Sequence, residues 1–176
     1  MIVMKFGGSS VRNAEMIRRV LDIATSRLDR APLLVSSAMG KTTDTLVLIA
    51  SHAERGDQES AVALIEKLEQ HHQDTARELV TGKNGEGLER AVGALFEELR
   101  SLSQGIFLIR ECSPRSHDAI LSFGERLSTL IITAAARARG IDAELIDART
   151  LIRTDGSFGA ASPDMETTTG QTRRQV

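Results

Sequence analysis

The chain has 176 residues, 41% of them apolar and 26% charged, a balance that excludes a disordered or fibrous protein and suits one domain with a substantial core. Its net charge of −2 leaves no basic footprint for nucleic acid or an anionic membrane, and five Phe without Tyr or Trp give few rings on which bases could stack. Cys112 is the single cysteine, which rules out an intrachain disulfide and a thiolate metal cluster and fits a reducing, cytoplasmic setting.

Met1–Phe6 reads as a buried strand that ends at Gly7-Gly8-Ser9-Ser10, where two glycines mark a turn. Ile17, Val20, Leu21, Ala24 and Leu28 recur at helical spacing behind Asn13, a cap, and Glu15, an anion in the first turn. Pro32 resets the chain and Leu33-Leu34-Val35 forms a second strand. Strands this apolar are expected to pair in parallel beneath helices. Leu46, Ile49, Ala50 and Ala53 predict a helix that ends at Gly56-Asp57. Ile65, Leu68, Ala76 and Leu79 predict the next, on which His71 and His72 have no metal-like pattern around them. Beyond a turn at 82–87, Leu88, Val92, Leu95, Phe96, Leu99 and Leu102 mark a third, and 106–109 fits either its end or a short strand. Ser113-Pro114 caps a helix expected to run to about Arg139, where Gly140 stops it. Ala143–Asp147 predicts a third strand, and from Thr154 the chain is polar and stops without a closing element, like a chain that has been cut. No apolar run approaches the ~20 residues of a membrane span, and no signal peptide precedes Lys5.

Three segments could carry chemistry. Lys5-Phe6-Gly7-Gly8-Ser9-Ser10 joins a strand end, two glycines that admit close approach of an anion to the backbone, and a following helix whose unpaired amides point the same way. The combination suits the polyphosphate of a nucleotide, although strand–Gly–Gly–helix turns are also common as plain tight turns. Ser36–Asp44 contains Gly40-Lys41-Thr42, but a P-loop needs a glycine five residues before Gly40 and Val35 stands there. A second loop beside the first is the better reading, because neighbouring parallel strands end on one edge of the sheet and ligands settle there. Ser37 and Ala38 leave space, and Thr43 offers a hydroxyl, or equally a helix cap. The third segment is Ser122–Thr129, inside an apolar helix on which Asp118, Ser122, Glu125 and Thr129 share a face. Glu125 could therefore meet an ammonium group in a cleft, or lie on a solvated face; Gly124 beside it costs a helix roughly 1 kcal/mol relative to Ala.

Taken in this order, KFGGSSV, VSSAMGKTTDTL, SFGERLST and LIDARTLIRTDGSFGAASPD resemble the aspartate kinases of the amino-acid kinase superfamily. The resemblance spans almost the whole chain. It implies an α/β fold, a three-layer αβα sandwich around an open, mostly parallel sheet, of which residues 1–176 form the amino-terminal, aspartate-binding part. It further implies transfer of the ATP γ-phosphate to the side-chain carboxylate of L-aspartate, with Mg2+ bridging ATP oxygens and no protein metal site. By motif matching, Lys5, Gly7, Gly8 and Ser9 face the phosphates, Lys5 stabilises charge during transfer, Ser37, Ala38 and Thr43 line the aspartate site, and Glu125 binds the substrate ammonium. The family's nucleotide-binding half, regulatory modules and, in bifunctional relatives, homoserine dehydrogenase region are not in this sequence, so the chain alone is expected to be inactive. Homo-oligomerisation is implied by the family, and neither nucleic acid nor membrane is an expected partner. The competing readings are a kinase of another small carboxylate or carbamate on the same fold, a non-catalytic amino-acid-binding or oligomerisation module, and a plain interaction scaffold.

Overall fold

In the computed structural model, which describes residues 1–176, two short strands sit at one end of a helical stack. Strand β1 (Ile2–Phe6) pairs in parallel with β2 (Pro32–Ser36), with Val3 opposite Leu33 and Lys5 opposite Val35. Side chains alternate across the pair. Phe6 and Leu34 pack against the core, whereas Val3, Lys5 and Val35 lie on the open face.

Helix α1 (Ala14–Thr25) connects the strands. Asn13 caps it by accepting the Met16 amide at 3.0 Å, and its apolar stripe of Ile17, Val20, Leu21 and Ala24 is buried. The helix stops before Leu28, which falls in an exposed 3₁₀ turn. Helices α2 (Thr42–Arg55), α3 (Gln58–Leu79) and α4 (Gly82–Ile109) then stack on one another. Leu46, Ile49, Ile65, Leu88, Val92, Phe96 and Leu99 interlock in a continuous buried cluster. Each such side chain contributes roughly 1.5–3 kcal/mol on burial, far more than the propensity differences that set helix ends.

Helix packing decided several points against the local sequence signals. The glycine-rich stretch expected as a turn at 82–87 is the first turn and a half of α4, and 106–109 is its last turn. The single helix expected from Pro114 to Arg139 is two, α5 (Pro114–Leu121) and α6 (Phe123–Ala138), separated at Ser122. By length and composition the combined stretch Pro114–Ala138 would suffice to cross a membrane, yet half of its most apolar window is buried inside the fold, as in the core helix of a globular protein.

Ala143–Asp147 is not a strand. Its backbone joins no ladder, because β1 and β2 are the only strands, and the Ala143 carbonyl instead accepts from Arg137 Nε at 2.7 Å. The short helix α7 (Ala148–Leu151), capped by Asp147, follows instead, and the polar tail from Thr154 does contain closing elements: a Thr154–Pro163 bridge and α8 (Met165–Gln175) capped by Asp164. Short polar side chains at these caps supply what the missing apolar pattern could not.

Candidate functional site

The site is built where β1 and β2 end. The ladder closes with the Ser37 amide donating to the Phe6 carbonyl at 3.0 Å, and one step later the Gly40 amide donates to the Gly8 carbonyl at 3.0 Å. These bonds tie the Gly7–Ser10 turn to the Ser37–Lys41 loop. Gly8 is required by this seam: a Cβ there would lie 2.9 Å from the Ala38 carbonyl oxygen and 3.0 Å from that of Gly40. The amides of Gly7, Gly8 and Ser9 enter no turn, loop or side-chain hydrogen bond. Lys5 extends on the exposed sheet face, its Nζ 3.8 Å from where a Gly7 Cβ would be, and takes part in no ion pair.

Helix α6 completes the arrangement. Glu125 sits in its first turn and its Oε1 accepts the Ala38 amide at 3.1 Å, across 87 residues of sequence. One turn later Ser128, with no accessible surface, donates from Oγ to the Ser37 carbonyl at 2.8 Å. Gly124 makes this approach possible: a Cβ on it would come within 2.7 Å of the Ala38 Cβ and 3.6 Å of both Leu46 Cδ1 and Thr42 Cγ2. The helix is held in place from behind by Arg126, which stacks over Phe123 at 4.6 Å and reaches Glu98 Oε2 on α4 at 2.7 Å.

The structure thus brings Lys5, Gly7, Gly8, Ser9, Ser37, Ala38 and Glu125 to adjoining positions. Thr43 follows in the first turn of α2. It is exposed, its hydroxyl makes no hydrogen bond, and the helix is capped by Lys41 without a side-chain bond, so the capping role considered for Thr43 falls away. Its neighbour Thr42 is the hydroxyl consumed locally, donating to the Met39 carbonyl at 2.6 Å. The expected polar stripe divides: Glu125 faces the loop, Asp118 accepts the Gly159 amide at 2.8 Å, Ser122 donates to the Ala119 carbonyl of α5 and Thr129 to the Glu125 carbonyl of α6. Gly124, which the sequence marked by its cost to the helix, is the point of close approach to the loop, whereas Ser128 went unnoticed as a partner of the loop. Their sequence signal is two small residues four apart on an otherwise apolar helix, a pattern that permits close approach.

No group of three His, Cys, Asp or Glu could hold a metal ion. A separate cavity of ≈ 300 Å³ lies between α2, α3 and α4, lined by Ala53, Ile65, Phe107, Gln58, Gln104 and Arg100 among others. Its amide and charged groups are paired with one another or with neighbours: Gln58 pairs with Gln104 at 2.6 Å, and Arg100 pairs with Glu69 and Glu97.

Two parallel strands end in loops that bear glycines and are overlain by a helix that carries a carboxylate, an arrangement at the carboxyl edge of a parallel sheet that defines an α/β protein. The profile of the amino acid kinase family matches residues 1–175, and the chain belongs to that family. It is 36% identical over 151 residues to Aspartokinase 1, chloroplastic, of Arabidopsis thaliana, covering 83% of this chain and 25% of the relative. It is 32% identical over 171 residues to Lysine-sensitive aspartokinase 3 of Escherichia coli (strain K12), covering 93% of this chain and 34% of the relative. Among solved structures it matches E. coli aspartokinase III in complex with aspartate and ADP (R-state) with a TM-score of 0.88 at 28% identity, over 99% of this chain and 37% of that one. The same enzyme in complex with lysine and aspartate (T-state) matches with a TM-score of 0.86. The chain therefore spans roughly a quarter to a third of the length of these relatives.

Proposed function

We propose that the chain is the amino-terminal, substrate-binding portion of an aspartate kinase, which transfers the γ-phosphoryl group of ATP to the side-chain carboxylate of L-aspartate to give 4-phospho-L-aspartate. The observation that carries this reading is the hydrogen-bonded seam that ties Glu125 to Ala38, and the Ser37–Lys41 loop to the Gly7–Gly8 turn. Glu125 supplies the carboxylate that a free ammonium group requires. Ser37, Ala38 and the unengaged Thr43 hydroxyl line the amino-acid side of the site. The unused amides of Gly7, Gly8 and Ser9, with the unpaired Lys5 ammonium, supply positive charge for phosphate oxygens.

Phosphoryl transfer of this kind depends on positioning and charge neutralisation more than on proton transfer. The acceptor carboxylate is already ionised at neutral pH, so no general base is needed, and none is assigned. Lys5 offsets the negative charge that accumulates between two anionic reactants. Magnesium, when bound with ATP, would reduce the same repulsion. The similarity to aspartokinase III solved with aspartate and ADP supports both ligand classes. Formation of homo-oligomers and a cytoplasmic setting belong to this reading as well.

Calorimetric titration tests it. L-aspartate should bind the 176-residue chain without nucleotide, and succinate, which has both carboxylates but no ammonium, should bind at least tenfold more weakly. Equal affinity for succinate would refute the role of Glu125. In a coupled assay the isolated chain should release no ADP above background; aspartate-dependent turnover would refute its assignment as a portion only.

A further inference from the structure

The Ser37 carbonyl and the Ala38 amide belong to one peptide unit, and α6 grips both of its polar ends. Ser128 Oγ donates to the carbonyl at 2.8 Å, closer than the neighbouring Ser36 Oγ, which donates to the same oxygen at 3.1 Å, while Glu125 Oε1 accepts from the amide at 3.1 Å. The unit is trans, so its C=O and N–H point in opposite directions and two partners on opposite sides fix its plane. Rotation of that plane by half a turn would break both bonds and aim the carbonyl oxygen at the Glu125 carboxylate. Gly124 closes the third side by seating the Ala38 methyl against the helix.

We infer that Ser128 is a positioning residue for the amino-acid site: its hydroxyl locks the Ser37–Ala38 peptide plane, and so holds Glu125 in the orientation that meets substrate ammonium. The inference rests on the function proposed above and assigns it a residue that touches no substrate. Three features favour it over a packing role. Ser128 is fully buried, so its hydroxyl is committed to protein partners and not to solvent. The bond spans 91 residues and reaches a loop carbonyl, whereas a serine that merely satisfies itself inside a helix bonds back within its own turn. The longer contact of Ser128 with the Glu125 carbonyl, 3.1 Å, is that local option, and the shorter bond goes to the loop. Finally, the residue after Ser37 carries the one backbone amide that Glu125 engages, so a slack plane is transmitted directly to the carboxylate.

The experiment uses the ¹⁵N-labelled chain, with L-aspartate titrated while the amides of Ala38 and Thr43 are followed by NMR, and with amide hydrogen exchange measured at Ala38. Ser128→Ala should weaken L-aspartate about tenfold and speed Ala38 exchange by at least as much, through loss of the shorter of the two side-chain hydrogen bonds to the Ser37 carbonyl and the only one that comes from α6. Ser103→Ala, which removes a buried serine hydroxyl of α4 that bonds neither the loop nor α6, should change neither. If Ser128→Ala does not fold, Ser128→Cys decides, since a thiol keeps the shape and donates only weakly; it should show the same losses in smaller measure. Wild-type affinity together with wild-type Ala38 exchange in the deciding variant overturns the inference. If the unmodified chain does not respond to L-aspartate at all, the substrate reading fails, and the exchange rate at Ala38 still shows whether Ser128 locks the plane.

Discussion

Gly124→Ala is the sharpest probe of the contact between α6 and the substrate loop. In an isolated helix the change would stabilise by about 1 kcal/mol. Here the new Cβ would stand 2.7 Å from the Ala38 Cβ, about 1 Å inside the normal carbon–carbon separation of 3.5–4.0 Å. Neither partner is the end of a flexible side chain, so either the helix or the loop backbone must move. Overpacking of this kind costs about 1–3 kcal/mol, and after the propensity gain the net destabilisation should be up to about 2 kcal/mol, with L-aspartate weakened at least tenfold because the Glu125–Ala38 bond is displaced. Urea unfolding and calorimetry measure the two effects. Ala38→Gly removes the opposing methyl, so the double variant should recover part of both losses, with a coupling of about 1 kcal/mol in the double-mutant cycle. A Gly124→Ala chain that is more stable than wild type and binds aspartate normally would refute the close-approach argument.

The remaining predictions concern the fold and the phosphate side. His72 is fully buried between α3 and α4 with Nδ1 on the Leu68 carbonyl at 2.7 Å and Nε2 unpartnered, and burial pushes its pKa down from 6.5 to about 4. The unfolded chain therefore binds the extra proton first, and stability is full above pH 6.5 and falls as the pH drops toward 4; between pH 7 and 5 the loss from this group should be about 2 kcal/mol, read by urea unfolding and absent in His72→Leu. Gly56 ends α2 at φ +78 with the Arg110 guanidinium lying over it, and a Cβ would stand 1.1 Å from Arg110 Nη1. Gly56→Ala should cost about 1–2 kcal/mol through the left-handed backbone and the displaced bond from Arg110 to the Arg55 carbonyl, again measured by unfolding. Lys5→Met should leave stability unchanged within about 0.5 kcal/mol, because the residue is exposed and unpaired, while abolishing any protection of the Gly7–Ser9 amides by ADP in NMR titration.

Sequence reasoning located the two parallel strands, the first helix with its Asn13 cap, and the glycine turns at the strand ends, because each of these follows from alternation, capping chemistry or the backbone freedom of glycine within a few residues. It failed where the outcome depended on something distant. Ala143–Asp147 is apolar enough for a strand, but a strand needs a neighbour to pair with, and no ladder reaches it. The 82–87 glycines would form a turn in isolation, and they are helical because Leu88, Val92 and Phe96 dock the following turns onto α2 and α3. The polar tail has no stripe to betray α8, whose start is set by the Asp164 cap.

For the candidate site the division has the same origin. The residue types were legible: a lysine before two glycines, small residues in the second loop, a lone carboxylate beside Gly124. Which atoms meet was not, since the Ala38 amide and the Glu125 carboxylate are 87 positions apart and no local rule relates them. Sequence alone determined what chemistry each segment could offer, because donors, acceptors and backbone freedom are properties of individual residues. Only the packing of α6 against the ends of β1 and β2 decided that Ser128 and Glu125 hold the two ends of one peptide, because that choice is made by the shape of a core to which the whole chain contributes.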